Sequence, residues 1–254
     1  MTTEPAYSAD RSLRGKLRRR LVRGLARRPA RLNLDRPMVT FTFDDAPDTA
    51  VTNGAKVLEA HGARGSYYVS TSLAGGEGPM GRYATREALM AVAARGHELA
   101  CHTANHLDCG QARAAQILAE VDANAEAFKA WGAAPATQFA YPYGDVSLDA
   151  KRALGGRFKI LRALHKGLIE TGTDLNQAPA IGIEGARGED MALRWLKRAR
   201  DRKAWLLLYT HDVCETPSPW GSTPQVLGAL IEAAKSMDFE IVTLSEGSRR
   251  LLTA

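Results

Sequence analysis

From Met38 onward, short runs of β-branched, aromatic and aliphatic residues alternate with stretches whose apolar positions fall three or four apart. The first pattern reads as a buried strand and the second as an amphipathic helix. Strands are expected at residues 39–43, 66–70, 98–102, 137–141, 159–163, 205–210 and 240–243, with a weaker one at 180–183. Among the intervening helices, Ile117, Val121 and Phe128 share one face. Leu193, Leu196 and Ala199 share another, and Leu227, Leu230, Ile231 and Ala234 a third. Seven or eight strand-then-helix units predict an α/β fold with a parallel sheet under a layer of helices. At this length the sheet is either open and doubly wound or closed into a barrel.

Ahead of residue 38 the pattern changes. Leu13, Leu17, Leu21 and Leu25 are spaced by four, with Arg14, Lys16, Arg18, Arg19, Arg20 and Arg23 around them. This predicts a basic amphipathic segment over 1–37, followed by one body over 38–254. Such a helix lies on an anionic membrane surface, here through residues 11–31, or against a partner, a second copy in a homodimer included. Nucleic acid is disfavoured, because no aromatic residue stands in 11–31 to stack on bases.

Charge sharpens the division. The chain of 254 residues carries a net +6, yet residues 1–37 alone carry +8, which leaves −2 on the rest. With 45% hydrophobic and 24% charged residues, the composition is that of an ordinary globular protein. The longest unbroken apolar run, 88–94, falls far short of the roughly 20 residues that span a bilayer. Three cysteines argue against a disulfide scaffold and for a reducing compartment. No apolar run follows the basic residues as in a secretion signal, so the expected location is cytoplasmic, peripheral on the inner membrane if the leader docks there.

The chemistry concentrates where strands end. His61, His97 and His165 read as structural residues. His102 and His106 follow the strand at 98–102 four apart, so a helical turn between them would bring both imidazoles onto one metal. Asp44 and Asp45 close the strand at 39–43 with adjacent carboxylates whose side chains diverge. His211 and Asp212 close the strand at 205–210, where His211 suits a general acid. In a parallel barrel all strand C-termini share one face, and catalytic groups gather there from several strands. Cys101, one residue before His102, points the other way into packing. Trp220 stands on a loop after the strand at 205–210.

These residues resemble the polysaccharide deacetylases of carbohydrate esterase family 4, the NodB homology domain. The likeness covers roughly residues 38–245. It rests on Thr42-Phe43-Asp44-Asp45, His102-Thr103-Ala104-Asn105-His106, Phe139-Ala140-Tyr141-Pro142-Tyr143-Gly144 and Leu208-Tyr209-Thr210-His211-Asp212, in the family's order. The resemblance implies a distorted (β/α)7–8 barrel and a metal-dependent deacetylation. Asp45, His102 and His106 would then hold one divalent metal, zinc with cobalt or nickel as alternatives. Asp44 would be the general base, the backbone N–H of Tyr143 would hold the oxyanion, and His211 would protonate the leaving amine. Pro142, Tyr143, Gly144, Tyr209 and Trp220 would line the substrate.

The chain also departs from the family pattern. Ala140 stands where many members carry an arginine that orients the base, and Arg162, at the end of the strand at 159–163, is expected to reach Asp44 instead. Tyr209 replaces the usual apolar residue of the last motif. Asp174 matches the fourth motif loosely and is expected to orient His211. The implied substrate is an N-acetylglucosamine polysaccharide of the bacterial exopolysaccharide, biofilm or holdfast type, or a lipid-linked precursor, with acetate released. The alternatives are hydrolysis of another small amide and an inactive module that binds a membrane or partner.

Overall fold

The computed structural model describes residues 20–252. Eight strands form one wholly parallel sheet: β1 (Met38–Phe43), β2 (Ser66–Val69), β5 (Glu98–Cys101), β6 (Gln138–Ala140), β7 (Ile160–Arg162), β8 (Ile181–Gly182), β9 (Trp205–Thr210) and β10 (Glu240–Ile241). Their order is β7-β6-β5-β2-β1-β9-β8, with β10 added beside the N-terminal end of β1. All eight coincide with expected strands to within two residues at an end. A small antiparallel hairpin, β3 (Glu77–Gly78) with β4 (Gly81–Arg82), lies outside that sheet and was not expected.

The sheet curls until its two edges nearly meet. Ala178 bridges Arg162 at the end of β7, three residues before β8 begins on the far edge. This is the barrel of the sequence expectation, left open between β7 and β8.

Helices α1 (Ala55–Ala60), α2 (Arg86–Ala94), α3 (Ala114–Trp131), α4 (Leu148–Leu154), α5 (Gly188–Arg202), α6 (Pro224–Ser236) and α7 (Leu244–Ser248) fill the connections. The expected helix faces are the buried ones: Ile117, Val121 and Phe128 on α3, Leu196 and Ala199 on α5, and Leu227, Leu230, Ile231 and Ala234 on α6. One connection breaks the alternation. Between β7 and β8 only a single 3-10 turn, Leu175–Gln177, interrupts a loop. That loop is stitched instead to the N-terminal segment, by Ala30 N–H to Thr173 O, Gly172 N–H to Ala30 O and Leu175 N–H to Arg28 O.

Strand residues alternate between two apolar layers, as a side-chain period of two requires. Val39, Phe41, Phe43, Leu206 and Leu208 pack outward with the helices. Met38, Tyr68, Ala100, Ala140, Ile160, Trp205, Leu207 and Tyr209 pack inside the curl. On the inner face, Trp205 Nε1 donates to Thr40 Oγ1 at 2.9 Å, and Thr42 Oγ1 donates to the Leu208 carbonyl. Cys101 is buried against the outer layer as expected, and all three cysteines are free thiols.

Part of the basic segment belongs to this packed body. Val22 and Ala30 are buried, and Lys151 Nζ, fully enclosed, donates to the Val22 carbonyl and to Asp174. Leu21 and Leu25 stay half-exposed, whereas Leu13 and Leu17 lie outside the described residues. No helix among the described residues is long and apolar enough to cross a membrane.

Candidate metal and catalytic site

Because every strand of the sheet runs the same way, their C-terminal ends share one rim. Asp44 extends the β1 ladder by one hydrogen bond, from its N–H to the Thr210 carbonyl at 2.9 Å. The next residue, Asp45, turns left-handed at φ 60°, and Ala46 follows at φ 45°. That turn is what separates two carboxylates adjacent in sequence. Of the eight described non-glycine residues with positive φ, five lie here: Asp45, Ala46, Thr103, His106 and Tyr143. Each such conformation costs about 1–3 kcal/mol and persists only where surrounding structure enforces it, a pattern typical of functional sites.

Asp45, His102 and His106 present ligand atoms that lie within 4.8 Å of one another. Asp45 Oδ1 is 3.6 Å from His102 Nε2 and 3.3 Å from His106 Nε2. A tetrahedral zinc with bonds of about 2.0–2.1 Å spaces its ligands by about 3.3 Å, so these gaps suit one ion. Asp45 Oδ1 is buried with no hydrogen-bond partner, a condition that a cation relieves. The His102 Nδ1–H donates to the Ala140 carbonyl at 2.8 Å, which turns the Nε2 lone pair toward Asp45. Burial, reinforced by His106, pushes the His102 imidazole well below its usual range, so it stays neutral as a ligand must. Burial pushes the Asp45 carboxyl up, opposed by the imidazoles of His106 and His211. The donor set thus fits a divalent metal of the zinc type.

The expected helical turn between the two histidines is absent. Residues 102–107 form an irregular loop, with Thr103 and His106 left-handed. Thr103 Oγ1 accepts from Leu107 N–H, and Glu120 accepts from the Asn105 backbone and side chain. These bonds, in place of a helix, bring the rings to a centroid distance of 4.9 Å.

Arg162 Nη2 donates to Asp44 Oδ1 at 2.5 Å, with both side chains buried. The guanidinium lies over the rings of Tyr68 and Tyr209, at 4.8 and 5.4 Å from their centroids. Stacking on aromatic faces replaces part of the lost hydration. Burial by itself would lower the Arg162 pKa, but the Asp44 carboxylate outweighs it and the net direction is upward. Asp44 is therefore held beside a permanent positive charge in a nearly dry pocket.

His211 is seated by Trp220, though not through its ring. The Trp220 carbonyl accepts from His211 N–H at 3.1 Å and lies 3.2 Å from Nδ1, which leaves Nε2 as the outward nitrogen. The carboxylate behind this imidazole is Glu184, whose Oε2 is 3.7 Å from Nδ1 and whose Oε1 accepts from the Tyr209 hydroxyl at 3.2 Å. Burial pushes the Glu184 carboxyl up, and His211 draws it back. The sequence held a signal for this residue: Glu184 stands one position past the expected strand at 180–183, as Asp44 and His211 do after theirs.

Asp174 has a different place from the expected one. Its Oδ2 takes Lys151 Nζ at 2.6 Å, and its Oδ1 accepts from the backbone N–H of Arg28 and of Asn176. Both oxygens are committed to tying the N-terminal segment down. Asp174 therefore holds that segment, and orienting His211 falls to Glu184. Tyr143 is 41% exposed, left-handed at φ 60°, and set edge-on to His106 at 4.5 Å, with Pro142 and Gly144 in the same 3-10 turn. Tyr209 lies inside the curl between Arg162 and Glu184.

Replacing Glu184 with glutamine keeps the Tyr209 contact and removes the charge behind His211. We expect turnover to fall about 10-fold while bound metal stays unchanged, a loss at the lower end for a group that acts through an acid or base. Steady-state kinetics with metal analysis by mass spectrometry checks both.

Comparison with known proteins places this arrangement. The chitin deacetylase from the fungal pathogen Colletotrichum lindemuthianum is similar over 89% of this chain and 94% of its own, at TM-score 0.62 and 17% identity. The Xyl-CE4 domain of a multidomain xylanase from the hindgut metagenome of Trinervitermes trinervoides matches over 84% and 89%, at TM-score 0.59 and 19% identity. A family 4 acetyl xylan esterase from Clostridium thermocellum, solved with a cobalt ion, matches over 82% and 89%, at TM-score 0.58 and 20% identity. No curated protein sequence matches the chain significantly. Residues 31–156 match the polysaccharide deacetylase family model, and the chain carries the barrel fold of the family 4 carbohydrate esterases.

Proposed function

We propose that this protein is a metal-dependent N-deacetylase acting on N-acetylglucosamine residues of a bacterial exopolysaccharide, of holdfast type or as a lipid-linked precursor, with release of acetate. The observation that carries the reading is the Asp45–His102–His106 ligand set with the Arg162-held Asp44 on one side and His211 on the rim. Asp45, His102 and His106 would hold a divalent ion, which would acidify a water and polarise the acetamide carbonyl. Asp44, held by the Arg162 guanidinium, accepts the proton of the attacking water. The Tyr143 backbone N–H is assigned to the developing oxyanion, where a preorganised donor is most effective. His211 gives its Nε2 proton to the departing nitrogen, with Nδ1 held by Trp220 O and Glu184 behind it. Base and acid thus stand on different strands, one for the water and one for the amine.

The described end of the leader supports a place at an anionic inner membrane face: Leu21 and Leu25 are 56% and 48% exposed, and Arg20, Arg23 and Arg27 are exposed beside them. The test of the activity is acetate release from β-1,6- and β-1,4-linked N-acetylglucosamine oligomers with zinc or cobalt added. Release that chelation and Asp44→Asn both abolish is expected. No release from either oligomer by the metal-loaded chain would overturn the reading.

A further inference from the structure

The loop over 163–180 spans the open side of the sheet between β7 and β8, with the N-terminal segment stitched to it. Their seam encloses a cavity of about 250 Å³, lined by none of the metal ligands and by neither the base nor the acid. Gly167 and Pro179 meet in its wall so closely that a Cβ on Gly167 would come within 2.8 Å of the proline ring. Arg23 and Arg27 reach the cavity from the N-terminal segment. Ala26 turns left-handed at φ 45°, and its carbonyl accepts from Asn176 Nδ2 at 2.9 Å. Arg27 Nη2 then donates to the Gly172 carbonyl at 2.7 Å. Arg23 makes no hydrogen bond or ion pair among the described residues.

Two polar side chains of the body line the same space with capacity unmet. Gln177 is 7% exposed, and its Oε1 has no hydrogen-bond partner among the described residues. His165 Nδ1 is buried and also lacks one. Buried polar groups are nearly always paired, so two orphans on one cavity point to a polar guest. Both can donate to it. A half-turn of the amide exchanges its oxygen for NH2, and a neutral imidazole carries its proton on either nitrogen. Burial, joined by Arg23 and Lys151 and opposed by Asp174, pushes the His165 imidazole down to about 4. The carboxylate in the lining, Asp174, is already committed to Lys151 Nζ at 2.6 Å and to the N–H groups of Arg28 and Asn176. Two guanidinium groups therefore face the cavity without a competing acid. Set on different segments with two neutral donors, they match the tetrahedrally spread oxygens of a phosphate better than the single plane of a carboxylate.

We propose that this cavity is a phosphate site, which takes a phosphate monoester or inorganic phosphate between Arg23 and Arg27 of the N-terminal segment and His165 and Gln177 of the body. A bound phosphate ties the basic segment to the β7–β8 loop. Leu21 and Leu25, exposed on either side of Arg23 in sequence, make a lipid headgroup one source of that phosphate. A soluble ester is the other.

The experiment follows the ring resonances of His165 by NMR in the zinc-loaded full chain, so that phosphate at the metal is not mistaken for phosphate in the cavity. The probes are sn-glycerol 3-phosphate and inorganic phosphate at fixed ionic strength, and His165→Gln assigns the signals. A saturable response to both is expected, together with a rise in the His165 pKa as the anion joins Arg23, Lys151 and Asp174 around it. Arg23→Gln with Arg27→Gln should weaken binding at least about 10-fold, and Gln177→Leu at least about 3-fold. Arg31→Gln, on the same segment but outside the cavity lining, should stay within about 2-fold. No response at millimolar phosphate, a response unchanged in the double variant, or an equal loss in Arg31→Gln overturns the site. Sedimentation with phosphatidylcholine vesicles, with and without phosphatidic acid, separates the sources. Capture by phosphatidic acid that the double variant loses and glycerol 3-phosphate competes away supports the headgroup. A His165 response without such capture supports the soluble ester. Acetate release enters neither readout, so the site stands or falls apart from the deacetylase reading.

Discussion

Arg162→Leu should lower turnover at least 100-fold while the protein still binds one zinc per chain. Arg162 is fully buried and its Nη2 donates to Asp44 at 2.5 Å. Leucine fills most of the volume but leaves the Asp44 carboxylate in a nearly dry pocket without its counter-charge. Removing one partner of a buried ion pair typically costs about 3–5 kcal/mol, because the survivor remains desolvated. Without Arg162 the Asp44 carboxylate loses the bond that positions it to accept a proton from water. A general base contributes about 10²–10⁴-fold, which sets the size of the expected loss. The loss should appear in kcat with KM little changed, since Arg162 lies beneath the site and makes no surface for substrate. Arg162→Lys keeps the charge but not the planar fork that stacks on Tyr68 and Tyr209, so it should recover only part of the rate. Unchanged kcat in Arg162→Leu would show that Asp44 needs no such partner.

Asp45→Asn should abolish both metal and activity, and Asp44→Asn only activity. The two residues are neighbours in sequence, so this pair of outcomes is a strict test of the left-handed turn that parts them. Asp45 supplies the sole carboxylate of the ligand set, with Oδ1 buried and unpartnered. An amide oxygen in its place is neutral and a weaker ligand. Zinc measured by mass spectrometry should fall from one per chain to less than about 0.1, with acetate release at the chelated background. Stability adds a readout independent of turnover. A ligand present at 100 times its dissociation constant stabilises the folded state by about 2.7 kcal/mol, so added zinc should raise the melting temperature of the unsubstituted chain and of Asp44→Asn. It should leave Asp45→Asn unmoved. Under chelation the order reverses in part: Asp45→Asn should be no less stable than the unsubstituted chain, because it removes a desolvated charge whose pKa burial has already raised. Zinc retained by Asp45→Asn would move the metal site elsewhere.

Most of the barrel was legible because it depends on local pattern. Buried parallel strands read as apolar runs, and the helices that cover them carry apolar residues at helical spacing. Both signals sit within a few residues of chain, which is why all eight strands of the main sheet fall where the pattern puts them. The β3–β4 hairpin was not legible, since four glycines within 75–81 give a turn its freedom but carry no period. The loop between β7 and β8 was illegible for another reason. Its partner is the N-terminal segment more than 130 residues away, and nothing local announces Ala30 beside Thr173.

The same division runs through the site. Asp44, Asp45, His102, His106 and His211 could be read as rim residues, because a residue just past a parallel strand must lie on the common C-terminal rim whatever the closure. Their identities fixed the chemistry available: one carboxylate and two imidazoles for a metal, one carboxylate for a base, one imidazole for an acid. Which second carboxylate stands behind His211 was a question of distance through space, and there the loose motif at Asp174 misled. Lys151 and the Arg28 N–H claim Asp174, while the pairing of β8 with β9 brings Glu184, just past β8, beside His211, just past β9. By itself the sequence determined the strands, the helix faces and the kinds of groups on the rim, all consequences of short-range periodicity. Only the tertiary structure decided which groups pair, because pairing depends on how far the sheet curls and where distant loops dock, and neither leaves a local trace.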